Sequence, residues 1–161
     1  MERWKPVRIC VTTDRREQSA SEIAHPAQVR CVLCGQRNPW GLNLVFRKHT
    51  NGYVEGIFQG NGCCEGYPEM MHGGIISLLL DGTMTNCLFA HGHTGVTAKM
   101  ELVFRHPVRA DSPATLRAWI EQANHPVYRL RAQLLQDGQV KATAKGIFMD
   151  RSDLNSPEDT P

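Results

Sequence analysis

The sequence predicts an α+β domain in which a mostly antiparallel sheet curls around one long central helix. Three observations predict it. Segments alternating apolar and polar residues lie on both sides of a single apolar helical stretch. The dipeptides Asn51-Gly52 and Asp137-Gly138 supply tight-turn chemistry between neighbouring strands. The regular strand–helix alternation of a doubly wound parallel sheet is missing, as is any phosphate-cradling loop of the G-x-G-x-x-G or G-x4-G-K type, which argues against kinases, NTPases and Rossmann dehydrogenases.

Residues 1–30 carry scattered charge without a sustained period and read as an N-terminal extension, with Asp14-Arg15-Arg16-Glu17-Gln18 a solvated lead-in. Leu42, Leu44 and Phe46 alternate with Asn43, Val45 and Arg47 in a first strand, and a second covers Tyr53 to Gln59. Residues 60–69 hold three glycines and a proline and read as loop. From Gly74 to Ala90 the period changes to that of a helix, apolar nearly all round in its first half and closed by Gly92. Gly82 in its middle costs about 1 kcal/mol relative to alanine, so another group is expected to approach closely there. Four strands follow, over Val96–Phe104, Ala114–Glu121, Val127–Leu135 and Gln139–Met149. In the first of these, Val96, Ala98, Met100, Leu102 and Phe104 form one alternating row, which puts Thr97 on the opposite face. The domain thus spans 31–149, and the polar tail 150–161 is expected to be disordered.

Composition narrows the function. The 161 residues suit one domain, and 18 Lys and Arg against 16 Asp and Glu leave a net charge of +2. That balance argues against gripping nucleic acid or a membrane surface through bulk charge. No apolar run is expected to reach the roughly 18 residues of a membrane span, and the N-terminus lacks a secretory pattern. Six cysteines without an export signal read as reduced thiols, and the expected compartment is the cytoplasm. Cys31-x2-Cys34 has metal-ligand spacing, but the other pair, Cys63-Cys64, is adjacent and chelates poorly, so no metal is expected.

The chemistry concentrates at His72-Gly73-Gly74 and Asp81. Two glycines at a helix entrance leave backbone N–H groups uncovered at the positive end of the helix dipole, a site suited to a carbonyl oxygen gaining charge. Asp81 follows Leu78-Leu79-Leu80, where a carboxylate is costly unless it has a partner or a task. Asp81 lies nine residues past His72, about 13 Å along the axis and on the opposite side of the helix. One subunit can hardly bring both to one substrate, so the spacing favours active sites shared across a symmetric dimer.

The run His72-Gly73-Gly74-Ile75-Ile76-Ser77-Leu78-Leu79-Leu80-Asp81, with Gly95-Val96-Thr97 and Phe104-Arg105-His106-Pro107-Val108, resembles the hotdog-fold acyl-CoA thioesterases of the phenylacetate-pathway type. Cys31-Val32-Leu33-Cys34-Gly35 resembles a subgroup with a cysteine-bearing lead-in. The resemblance implies a hotdog fold, homodimers with a continuous sheet, often paired into tetramers, and hydrolysis of acyl-CoA without a cofactor. It further implies that Gly73 N–H polarises the thioester carbonyl with help from His72, that Asp81 serves as general base or nucleophile, and that Thr97 helps hold the water. Gly74, Arg105 and Arg109 are the substrate-binding candidates. The chain departs from the family in carrying Gly82 where an acidic residue often follows the aspartate, and Gly66 where an Asn or Gln is common. Two rival readings fit the same fold. A hydratase on the same fold needs an Asp and His close together on one chain, an arrangement that is missing. A non-catalytic acyl-CoA-binding module is the other.

Overall fold

The computed structural model describes residues 21–23, 25 and 28–155. Asp14–Gln18 and the tail beyond residue 155 lie outside them. Strands β1 (Ser21–Glu22), β2 (Phe46–Lys48), β3 (Val54–Gln59), β4 (Glu65–Tyr67) and β5 (Met70–Met71) precede helix α1 (Gly73–Ala90). Strands β6 (Gly95–Phe104), β7 (Pro113–Asn124), β8 (Val127–Gln136) and β9 (Gln139–Asp150) follow it. Seven strands form one antiparallel sheet in the order β1-β2-β3-β7-β8-β9-β6, while β4 and β5 make a separate small hairpin. The α+β architecture predicted from the sequence is the one observed.

Helix α1 lies in the concave face of this sheet. Ile76, Leu79, Leu80, Met84, Cys87 and Leu88 are buried against Leu116 and Ala118 of β7, Leu130 and Leu134 of β8 and Phe148 of β9. The polar residues carried into this core return their hydrogen bonds to the helix. Thr83 Oγ1 donates to Leu79 O at 2.6 Å, and Asn86 Nδ2 donates to Gly82 O at 2.8 Å. By length and composition alone α1 would pass for a membrane span (18 residues, mean hydropathy 1.3), against the expectation that no segment does so. Its buried apolar residues pack against the sheet instead.

Two segments differ from the sequence expectation. Only Phe46–Lys48 of the first strand joins the ladder, because the N–H groups of Leu42 and Leu44 bond the carbonyls of Val32 and Leu33 instead, at 2.8 and 2.9 Å. Residues 60–69 are more ordered than a plain loop. Asn61 Oδ1 accepts from Cys63 N–H at 2.8 Å to start a one-turn helix over Gly62–Cys64, and β4 and β5 follow. Strands this short carry too few residues to show a period.

Gly82 has a structural explanation. A Cβ built on it would fall 1.8 Å from Leu33 Cδ2, so the Leu33 side chain occupies the space any other residue would need. Leu33 is only 1% exposed and sits between Cys31 and Cys34 in the lead-in that packs across the helix. The close approach expected at Gly82 is therefore a leucine of the same chain. Gly82→Ala should destabilise the fold by about 1–3 kcal/mol in chemical denaturation, despite alanine's better helix propensity. In a Leu33→Ala background the same change should be neutral or stabilising.

Candidate active site

His72 opens α1 as its N-cap, with extended backbone (φ −61°, ψ 135°). Its Nδ1 accepts a hydrogen bond from Gly74 N–H at 2.9 Å, which makes Nδ1 the unprotonated nitrogen and leaves Nε2 to carry the proton. The imidazole thereby satisfies one of the orphan donors of the first turn. The small hairpin supports the ring: a Cβ at Gly66 would meet His72 Cδ2 at 2.9 Å, so the Gly66 that departs from the family pattern makes room for it. His72 O accepts from Ile75 N–H and Ile76 N–H, and among the described residues no hydrogen bond takes Gly73 N–H. Of the two glycine donors expected at this entrance, Gly74 is used by His72 and Gly73 is free. Space above it is bounded by Phe104, whose ring edge comes 3.6 Å from where a Cβ of residue 73 would stand.

Asp81 lies two turns further along, half-buried, on the flank of α1 beside the start of β6. Thr97 Oγ1 donates to Asp81 Oδ1 at 2.6 Å. That contact corrects the sequence expectation that Thr97 faces away from the apolar row. The register of β6 against β9 runs Thr97↔Phe148, then Lys99↔Ile147, with Ala98 left over as a bulge. One extra residue reverses which side chains face the helix. Met100, Leu102 and Phe104 face α1 opposite Gly146, Ala144 and Ala142, whereas Val96 sits opposite Met149 on the outer face and Thr97 turns inward. The row is therefore broken where the site begins.

The arginines stand apart from this pair. Arg105 follows β6 and lines a cleft of about 290 Å³ on the outer sheet face with Glu101, Trp119, Arg131 and Lys145. Arg109 is held by Asp137, Nη2 to Oδ2 at 3.3 Å, and by Ser112 Oγ at 3.1 Å, beside the β8–β9 turn. Neither is in the ion-pair set with Asp81, and among the described residues Asp81 has no salt bridge. Cys31 and Cys34 come together in the lead-in, and among the described residues no group of three or more His, Cys, Asp or Glu side chains forms a metal site. Two features of the site escaped the sequence. Phe104 reads from the sequence as a strand-row residue and part of the Phe104–Val108 run, with nothing to set it beside Gly73, and Leu33 carries no signal other than its place between two cysteines.

Residues 69–142 match the thioesterase superfamily. Its fold is the hotdog fold, and over that stretch its sequence is similar to that superfamily. The protein RHA08564, a thioesterase superfamily protein, superposes with a TM-score of 0.71 at 24% identity over 75% of this chain, which spans 60% of that protein's length. The phenylacetic acid degradation-related protein REUT_B4779 of Ralstonia eutropha JMP134 gives 0.61 at 25% identity, covering 67% of this chain and 85% of that one. A hypothetical thioesterase protein of Streptococcus pneumoniae TIGR4, solved with coenzyme A, gives 0.62 at 17% identity, covering 67% and 88%. No curated protein matches the sequence.

The Thr97 contact gives a direct test of how Asp81 is held. A hydrogen bond to a charged group is worth about 1.5–3 kcal/mol, so, on the reading proposed below in which Asp81 is the base, Thr97→Val should lower turnover by about ten- to a hundredfold, with KM little changed. Thr97→Ser should retain most of it. Steady-state kinetics on both variants checks this.

Proposed function

We propose that this hotdog protein hydrolyses acyl-CoA thioesters, with Asp81 of one subunit and Gly73 of its partner acting on the same thioester. The observation that carries the reading is the pairing of a free N–H at Gly73 with a carboxylate held by Thr97 on the same helix. Hydrolysis needs an electrophilic donor at the carbonyl oxygen and a base for water. Thr97 donates to Oδ1, so Oδ2 remains for the water. Asp81 takes a proton as the water oxygen adds to the thioester carbon. Gly73 N–H receives the oxyanion, and the C–S bond then breaks to release the CoA thiolate, which needs no strong acid.

Several findings support the shared site. Strand β6 is a sheet edge, and Val96 (41%), Val103 (42%) and Phe104 (53%) along it are exposed in the single chain. An unpaired edge with apolar side chains is a template for another strand. Antiparallel pairing of β6 with its copy would bring the Thr97 end of one chain to the Phe104 end of the other, and so Asp81 toward the partner's free N–H. The ligand class draws support from the Streptococcus pneumoniae protein solved with coenzyme A and the Streptococcus mutans protein bound to acetyl CoA. Two further structures of the pneumococcal protein carry single Asp-to-Ala and Thr-to-Ala changes at positions separated by 16 residues, the separation of Asp81 and Thr97 here.

A panel of acyl-CoA substrates with a thiol-trapping reagent tests the activity. Thiol release in step with acid formation is expected, and binding without release on every substrate would overturn it. Asp81→Asn should lower kcat by about a hundredfold or more, as loss of a general base does, without unfolding the protein. A second experiment tests the sharing. Proline is tolerated at the first helical position and has no N–H, so Gly73→Pro should cut kcat by about 10²–10³. Mixing unfolded Asp81→Asn and Gly73→Pro chains and refolding them together should restore about a quarter of wild-type turnover, since half the dimers are hybrid with one intact site each. No recovery in a sample shown to contain hybrid dimers would place both groups on one chain.

A further inference from the structure

The lead-in that holds Leu33 on Gly82 also holds two thiols side by side. Residues 31–35 form a single turn closed by Gly35 N–H donating to Cys31 O at 2.9 Å. A turn of this kind puts the Cβ atoms of Cys31 and Cys34 about 5–6 Å apart, a small closure away from disulfide geometry. Leu33 N–H donates to Cys31 Sγ at 3.4 Å, and Cys34 Sγ donates to Gln28 Oε1 at 3.0 Å. On the other side of Cys34 lies Asn86 of α1, buried to 3% exposure, with Nδ2 3.8 Å from the sulfur. Both cysteines are free thiols and half-buried. Cys34 lines an open cavity of about 460 Å³ with His25, Gln28, Gln36 and Asn86, and Cys31 is itself partly exposed. Small reagents therefore have a path to the pair.

We propose that Cys31 and Cys34 are a reversible dithiol–disulfide pair, a modification site for low-molecular-weight disulfides, whose state is transmitted to Asp81 through Leu33. The exchange balances with one such disulfide, RSSR. The Cys31 thiolate attacks one sulfur of RSSR and releases the first RS⁻; the Cys34 thiolate then attacks the Cys31 sulfur and releases the second. The cysteines lose two protons and two electrons, and RSSR becomes two RSH. Burial, and then the neighbouring Cys31, push the Cys34 thiol up to about 12, and the exchange balances the same way whichever sulfur attacks first. The part due to Cys31 disappears once its sulfur is tied in the mixed disulfide.

Transmission needs no long path. Leu33 is the second residue inside the ring that the disulfide would close, and its side chain fills the space above Gly82, next in the helix to Asp81. Drawing the two sulfurs to a bonded 2.05 Å or so reshapes the turn under Leu33. Among the described residues the other cysteines lack this geometry: Cys63 and Cys64 are adjacent, and Cys87 is buried with His91 Nδ1 3.9 Å from its sulfur.

The full-length protein equilibrated with mixtures of glutathione and glutathione disulfide, then trapped with a thiol-alkylating reagent and digested with trypsin, reads the chemistry directly. Cleavage after Arg30 and Arg37 isolates both cysteines on one peptide. Expected is an unalkylated peptide two hydrogens lighter as the disulfide form of glutathione rises, reversed by dithiothreitol. A doubly alkylated peptide at the highest ratio, in protein that remains folded, would overturn the proposal. The activity arm rests on the thioesterase reading: turnover should fall about tenfold or more on oxidation, the scale of a small misplacement near the chemistry. Cys34→Ser should keep the starting turnover and lose the response. Unchanged turnover in fully oxidised protein would overturn the transmission. If reduced protein cleaves no acyl-CoA, that reading fails alone, and amide hydrogen exchange across Leu79–Asn86, altered or not by oxidation, decides the transmission.

Discussion

Helix α1 has apolar residues nearly all the way round, and one curved sheet covers only part of its circumference. Most of the architecture answers that constraint. The sheet takes the face carrying Leu79, Leu80, Met84 and Leu88. The cysteine-bearing lead-in takes a second flank by setting Leu33 on Gly82, a contact that exists only because the helix has no side chain there. The remaining flank, along β6, stays open, and it is the flank on which Asp81 meets Thr97. An exposed edge strand beside a half-buried carboxylate is what a second copy of the chain would cover.

The bulge at Ala98 is the smallest feature with the largest effect on the site. A strand obeying strict alternation would turn Thr97 outward and leave Asp81 without its hydrogen bond. One extra residue keeps Met100, Leu102 and Phe104 on the helix while turning Thr97 to the same side. Bulges commonly re-aim a side chain next to an active site, and here the re-aimed group is the one that fixes the orientation of the carboxylate.

The two glycines at which this chain differs from the family it resembles also acquire physical reasons. Gly82, where an acidic residue is common, is matched to Leu33, and Gly66 is matched to the His72 ring. Each substitution of a small residue is paired with a large side chain from another element. Such pairs lie far apart in sequence, so neither half announces the other.

Much of the molecule was legible from the chain alone. Period-two strands, two hairpin dipeptides and one apolar helix determined the α+β class and the order of the long elements, because side-chain periodicity is a local property of the backbone. His72, Gly73 and Asp81 were legible for the same reason: helix ends expose donors, and a carboxylate after three leucines is conspicuous. Only the tertiary structure decided that Gly74 N–H belongs to His72, that Thr97 turns toward Asp81, that the arginines stand elsewhere, and that Leu33 explains Gly82. Those outcomes depend on strand register and on contacts between segments tens of residues apart, and neither leaves a periodic mark in the sequence.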